Sequence, residues 1–319
     1  MVVQANVGVS YFFILSGFVL MIAYGQKNNL SKLAFYQNRL ARIYPLYLLA
    51  TMLMIVFFLL TNNGVDISAL CLNIFMIQAW VPSKATSINA QTWSISVEIF
   101  FYLLFPFLLQ SFYKKSKLKI IIVLGLLLWG ITQICFNVLL HSDYYTGFLT
   151  NSYHFLYFFP LFHLNEFILG NIAGLIFFHY KPEGKRNYDV VILLLFLCLV
   201  LYLSQPEKYS AHDGLLAFVF LPLILLLSWN TGKLSKLFSM KLFVFLGEMS
   251  YAMYLLQNPI FSFSISLLKR IGITNLAACF YIRLTLLLIA SSICYAYFEK
   301  PARNWIRQRV FLNKSHRVE

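Results

Sequence analysis

The chain has 319 residues, of which 60% are hydrophobic and 11% charged, with 32 Phe and 20 Tyr. Average globular chains hold about 45–50% apolar and about 25% charged residues, so lipid rather than water must cover much of this surface. The balance excludes a disordered chain, a disulfide-rich secreted module and a nucleic-acid reader, and the net charge of +14 must be explained by where the charges sit.

In chain order, apolar runs predict nine spanning helices, at roughly 8–24, 43–60, 93–112, 119–140, 154–179, 189–204, 214–230, 242–268 and 277–298. A spanning helix needs about 20 apolar residues, so 189–204 and 214–230 sit at or just under the lower edge. The run 67–80 (ISALCLNIFMIQAW) is too short to cross and reads as an interfacial or re-entrant segment. The expected fold is an all-α polytopic transmembrane bundle. One membrane domain covers 1–299, and a basic cytoplasmic tail covers 300–319.

The basic residues support this map. With the N-terminus outside, the inner loops carry Lys27, Lys32, Arg39 and Arg42, then Lys114, Lys115, Lys117 and Lys119, then Lys181, Lys185 and Arg186, then Lys233, Lys236 and Lys241. The tail adds Lys300, Arg303, Arg307, Arg309, Lys314 and Arg317. The outer side has only Lys84, Lys208, Lys269 and Arg270. This predicts a multi-pass cell-membrane protein with a cytoplasmic C-terminus, and topology accounts for the positive charge without a nucleic acid. No cleavable signal peptide is expected, because the first apolar run lacks a basic flank and a small-residue cleavage site. Cys71, Cys135, Cys198, Cys279 and Cys294 lie in apolar runs and read as buried small side chains.

Polar residues inside spans carry the functional signal, because they are costly there. Ser94, Glu98 and Tyr102 recur at i, i+4 and i+8 and form one stripe. Arg283 lies at a similar depth from the outer side, so Glu98 is expected either to pair with it or to face a substrate path. His163 and Glu166 share a face with Gly170 and Gly174; that face suits acid/base work, tunnel lining or close helix packing. His141, His154, His179 and His212 fall at span ends or loops and read as interfacial. Trp93 and Ser96 stand at the outer mouth of their helix, as path residues or an aromatic belt. Ser16 and Gly17 would allow close helix approach. Glu299 and Arg303, at i, i+4, are expected to pair, and Trp305, Ile306, Val310 and Phe311 mark an amphipathic surface helix. Arg39 and Arg42 share a helix face at the inner surface, where planar guanidiniums suit phosphate oxygens or lipid headgroups. There is no metal-ligand set, Gly-rich phosphate loop or Ser-His-Asp order.

Several blocks occur in a fixed order: Gly8 to Phe18 (GVSYFFILSGF), Phe35 to Tyr47 (FYQNRLARIYPLY), Gln91 to Tyr102 (QTWSISVEIFFY), Glu166 to Gly170, Gly247 to Pro259, and Tyr297 to Pro301 (YFEKP). In this order and spacing they resemble the acyltransferase-3 family of membrane O-acyltransferases, over nearly the whole chain. The resemblance implies transfer of an acyl group, usually acetyl from acetyl-CoA or another acyl-CoA, to a hydroxyl of a cell-envelope or exported polysaccharide. It makes Arg39 and Arg42 the CoA-phosphate clamp and Glu98, His163 and Glu166 the candidate catalytic groups. Trp93, Ser94, Ser96, Tyr102 and Arg283 would line the acceptor path. Membrane lipids and a carbohydrate acceptor are the expected partners, and no metal is expected. The family core implies ten helices, the first with an Arg-x10-His element whose His is regarded as catalytic. This sequence has no His before His141, carries Gln257 where the family often has His, and has His163 where Arg would be expected. It therefore reads as one helix short. The competing expectations are a transporter or flippase without chemistry, and a degenerate acyl-CoA-binding homologue.

Overall fold

The computed structural model describes residues 5–180, 182–204 and 214–315. Lys181, Lys208, His212 and Arg317 lie outside the described residues, as do the side chains of Arg307, Arg309, Val310, Phe311 and Lys314. Every regular element among the described residues is helical. The α-helices in order are α1 (Ala5–Tyr24), α2 (Lys32–Leu60), α3 (Ile67–Ile74), α4 (Trp93–Phe107), α5 (Leu118–Leu140), α6 (Asn151–Phe158), α7 (Leu164–His179), α8 (Asp189–Leu203), α9 (Ala217–Trp229), α10 (Lys233–Phe238), α11 (Lys241–Arg270), α12 (Leu276–Cys294) and α13 (Lys300–Ser315).

Among the described residues, six helical stretches are long and apolar enough to cross a membrane: Val7–Tyr24, Lys32–Leu60, Ala90–Tyr113, Leu118–Leu140, Asn151–His179 and Leu276–Ile306. This is fewer than the expected nine. α8 and α9 are apolar but short. α11 is long, but its interior carries Ser250, Gln257, Asn258, Ser262, Ser264 and Ser266, which lower its hydropathy. The run at 67–80 is α3 followed by a single 3₁₀ turn at Gln78–Trp80.

The chain divides into two compact units. The first comprises Met1–Leu30 and Val97–Met240. Its centre is the packing of α1 on α7, flanked by α5 and α9. Glycines permit this approach. A Cβ on Gly17 would overlap the Phe167 carbonyl, and one on Gly170 would overlap the Ile14 carbonyl. The pair expected to favour close packing therefore does so, with Gly174 lying against Met21. Beside this crossing, Phe101 stacks on Phe167 at 4.6 Å and Phe13 meets Phe101 edge-on at 5.2 Å.

The second unit comprises Ser31–Ser96 and Lys241–Glu319. In it α11 packs against α2 and α12, and α13 packs along α2. Asp66 caps α3 by accepting from Ala69 N at 3.2 Å and pairs with Lys84. Lys84, with the Ser68 hydroxyl and the Ala69 N–H, holds the Asp66 carboxyl well below the usual carboxylate range. A depressed folded value means that this contribution is full above about pH 4 and is lost as pH falls through the lowered value.

The cysteines correct an expectation. Cys71, Cys135 and Cys198 are exposed, and Cys279 and Cys294 are half-exposed. Cys71, Cys135 and Cys198 lie on exposed helix faces, where a weakly polar thiol is compatible with hydrocarbon.

Candidate functional site

The first unit holds a buried proton-bearing cluster at the α1–α7 crossing. Pro160 ends the preceding segment and opens a 3₁₀ turn, Pro160–His163, that leads into α7. The break puts His163 just before the helix and Glu166 in its first turn, where a carboxylate meets the positive helix end. His163 is 4% exposed and Glu166 0%. His163 Nδ1 lies 2.9 Å from Glu166 Oε2, and His163 Nε2 lies 3.1 Å from the Tyr157 carbonyl. Ser10 Oγ of α1 donates to Glu166 Oε1. A carbonyl only accepts, so Nε2 must carry a hydrogen. Nδ1 then faces a carboxyl oxygen, and one of the two must carry a second proton. The pair is thus either imidazolium with carboxylate or neutral imidazole with carboxylic acid. Both ring nitrogens are engaged, and moving a proton to an outside group would break one of these bonds.

Also in the first unit, Glu98 is 4% exposed and accepts from Tyr102 Oη one turn along α4. Two of the three residues of the expected stripe are thus hydrogen-bonded one turn apart. Arg283 belongs to the other unit.

In the second unit, residues 73–96 form a buried polar knot. Tyr47 Oη donates to the Asn73 carbonyl at 2.8 Å. Asn73 Nδ2 donates to the Ala69 carbonyl at 2.9 Å and to Ser87 Oγ at 3.0 Å. Gln78 Nε2 donates to the Thr92 carbonyl at 2.8 Å, and Asn89 Nδ2 to the Leu255 carbonyl at 3.1 Å. Ser96 Oγ accepts from Ala79 N at 3.3 Å. The hydroxyls of Ser94 and Tyr254 lie 2.7 Å apart, and both reach the Gln91 carbonyl, at 3.1 and 2.9 Å. Trp93 is buried at the start of α4. Of the expected path residues, Ser94 and Ser96 therefore bond within this knot, and Trp93 is buried beside them. Buried hydrogen bonds contribute about 1 kcal/mol each, and orphaning their partners costs about 1–3. Asn73→Ala should accordingly lower stability by about 2–3 kcal/mol, read as a fall in melting temperature of the detergent-purified protein.

Arg39 and Arg42 differ in environment. Arg39 is half-buried with its guanidinium 5.7 Å over the Phe35 ring, and Arg42 is exposed. Arg42 and Arg303 are the cationic neighbours of buried Glu299. No ion pair forms between Glu299 and Arg303, whose Oε2 and Nε atoms are buried without hydrogen-bond partners. The expected i, i+4 pair therefore does not close. Glu299 ends a π-helical turn, Tyr295–Glu299, and Arg303 follows it in α13. Tyr295 Oη in that turn donates to Glu248 Oε2 at 2.7 Å. Trp305 is exposed and Ile306 half-buried.

The sequence reading passed over Ser10, the Asn73–Gln78–Asn89–Thr92 knot, and the Tyr295–Glu248 bond. Ser10 was detectable: it lies at i−4 from Ile14 and i−7 from Gly17, on the face that meets α7. The density of amides and hydroxyls between 73 and 96 was the signal for the knot.

An acyltransferase domain matches residues 2–297. The chain belongs to the acyltransferase-3 family. It is similar to O-acetyltransferase OatA of Staphylococcus aureus, 24% identical over 327 residues, covering 93% of this chain and 52% of that protein. It is also similar to a putative acetyltransferase, ORF330, of Acidianus two-tailed virus, at 29% over 256 residues, 77% of this chain and 70% of that protein. The acyltransferase MdmB of Streptomyces mycarofaciens is 34% identical over 108 residues, 32% of this chain and 27% of that protein. The chain thus spans about half the length of the OatA proteins it matches. No solved structure matches. Within the family's residues 2–297 fall the Ser10–Glu166–His163 cluster, Glu98 with Tyr102, the 73–96 knot, and Arg39 with Arg42.

Proposed function

We propose that this acyltransferase-3 protein moves an acyl group, acetyl in the first instance, from acyl-CoA to a hydroxyl of a cell-envelope or exported polysaccharide. The observation that carries the reading is the family match over residues 2–297, which takes in all the candidate polar clusters. OatA's name as an O-acetyltransferase supports acetyl as the group.

Arg39 and Arg42 would hold the CoA phosphates. They are three residues apart on one helix, and exposed Arg42 offers its guanidinium outward. The chemistry of this donor pair fits a diphosphate. Glu299 beside Arg42 would fix the guanidinium's direction. Bound acyl-CoA would supply the thioester. Transfer breaks the acyl C–S bond and forms an ester C–O bond, and the acceptor's proton must reach a base while the thiolate regains one. Glu98 is the better candidate for that proton, because both nitrogens of His163 are committed within the cluster.

The test uses the purified full chain in lipid vesicles with labelled acetyl-CoA and cell-wall or capsular polysaccharide. Label should appear on the glycan with release of free CoA. Arg39→Ala and Arg42→Ala should each raise KM for acetyl-CoA roughly 10–100-fold, the worth of a charge-assisted hydrogen bond, with kcat little changed. Absence of both CoA binding and label transfer by the folded protein would defeat the reading. Glu98→Gln keeps an oxygen for Tyr102 but cannot take a proton. It should leave the melting temperature near that of the parent and lower transfer by roughly 10²–10⁴. Equal losses of folding and transfer would instead make Glu98 structural.

A further inference from the structure

The α11–α12 hairpin bears a half-open groove of about 440 Å³ near its turn, formed wholly by residues of the second unit. Its volume lies within the roughly 300–1,000 Å³ typical of small-molecule sites. Leu268, Ile273, Leu276 and Phe280 give it apolar walls, and Lys269 and Arg283 bring two cations to it. Thr274 supplies the only hydroxyl among the residues lining it. Arg283 Nε is buried and has no hydrogen-bond partner among the described residues. A buried guanidinium donor with no acceptor is costly and asks for an explanation.

We propose that this groove binds an anionic phospholipid, with the phosphate on Arg283 and Lys269 and an acyl chain along the apolar walls. Three features favour this occupant. The two cations have no acidic residue with them in the lining, so they attract an anion. The walls offer almost nothing to the hydroxyls of a polysaccharide, which would leave a sugar unsatisfied. The groove sits where α11 ends at Arg270 and the Leu276–Ile306 stretch begins, the depth at which headgroups meet hydrocarbon. Arg283 is two turns into that stretch, about 10 Å, so its side chain can run along apolar walls and present its tip toward that boundary. Nothing in this assignment requires acyl transfer.

The experiment measures thermal shift and native mass spectra of the full chain in neutral detergent. The probes are phosphatidylglycerol, phosphatidylcholine with the same chains, and inorganic phosphate. Phosphatidylglycerol should stay bound and raise the melting temperature, and the other two should do neither. Arg283→Met and Lys269→Met should each weaken phosphatidylglycerol roughly fivefold, the effect of about one basic residue at a lipid surface. Lys241→Met, at the far end of α11, should leave it unchanged. Lys269 is exposed, so its variant carries the test if Arg283→Met fails to fold. Equal effects of the two lipids would overturn the proposal by making the site a generic apolar groove. A full shift from inorganic phosphate alone would overturn it in favour of a free-anion site, and equal behaviour of the Lys241 and Arg283 variants would do so by removing the groove's role.

Discussion

Gly170→Ala should cost roughly 3 kcal/mol or more and abolish a well-behaved peak in size-exclusion chromatography. The added methyl would occupy the place of the Ile14 carbonyl oxygen on the facing helix. Inserting one methyl into a close-packed core costs typically about 1–3 kcal/mol, because side chains can shift. Here the obstacle is backbone, so relief requires separating α1 from α7. That separation would also disturb the Ser10–Glu166 bond across the same crossing. Gly130→Ala is the control. Gly130 is in the interior of α5 with nothing within 4 Å of an added Cβ, so the same change should leave stability equal or raise it by about 0.5–1 kcal/mol. Opposite signs at the two glycines would separate steric crossing from helix propensity. A folded, stable Gly170→Ala protein would show that the helices are not held at backbone contact.

The Gly170–Gly174 spacing announced its crossing in the sequence because small residues at i, i+4 have one common use, to bring backbones together. The Ser94–Glu98–Tyr102 stripe was legible for the same reason: helical periodicity places i and i+4 together, and Tyr102 does donate to Glu98. Spacing permits a contact without making it: Glu299 and Arg303 have the spacing of a pair but form no ion pair, and Glu299 has Arg42 of α2 as a second cationic neighbour. The count of nine spans is not confirmed for a different reason. Hydropathy scores α8 and α9 as apolar as the longer helices, yet they are 15 and 13 residues long, and length decides what reaches across a bilayer.

The polar knot at 73–96 was hidden because its bonds are irregular. Asn73 reaches Ser87, fourteen residues on, and Asn89 reaches Leu255 in a distant helix. No local spacing encodes such contacts. They follow from the rule that buried amides must find partners, and that rule acts only once the chain has folded. Ser10 was missed because a serine in an apolar helix usually bonds its own backbone; its partner, Glu166, is 156 residues away.

The His163–Glu166 pair makes the second large prediction. Glu166→Ala should lower stability by about 3–5 kcal/mol, since it leaves a buried imidazole nitrogen and the Ser10 hydroxyl facing a void. Glu166→Gln should cost far less, about 1 kcal/mol. Its carbonyl can accept from Ser10 while its amide donates to Nδ1 of a neutral His163, whose Nε2 hydrogen stays on the Tyr157 carbonyl. The double change His163→Leu with Glu166→Leu should recover most of the loss seen in Glu166→Ala, because an apolar pair of similar volume needs no proton and no desolvated charge. Thermal melts of the parent and the three variants in one detergent supply the comparison. If Gln and Ala are equally damaging, the cluster depends on a charge rather than on a shared proton, and the imidazolium–carboxylate form is the resident one. If neither matters, the close crossing of α1 and α7 alone holds the unit together. Gly170→Ala measured in the same detergent would then still show its full loss.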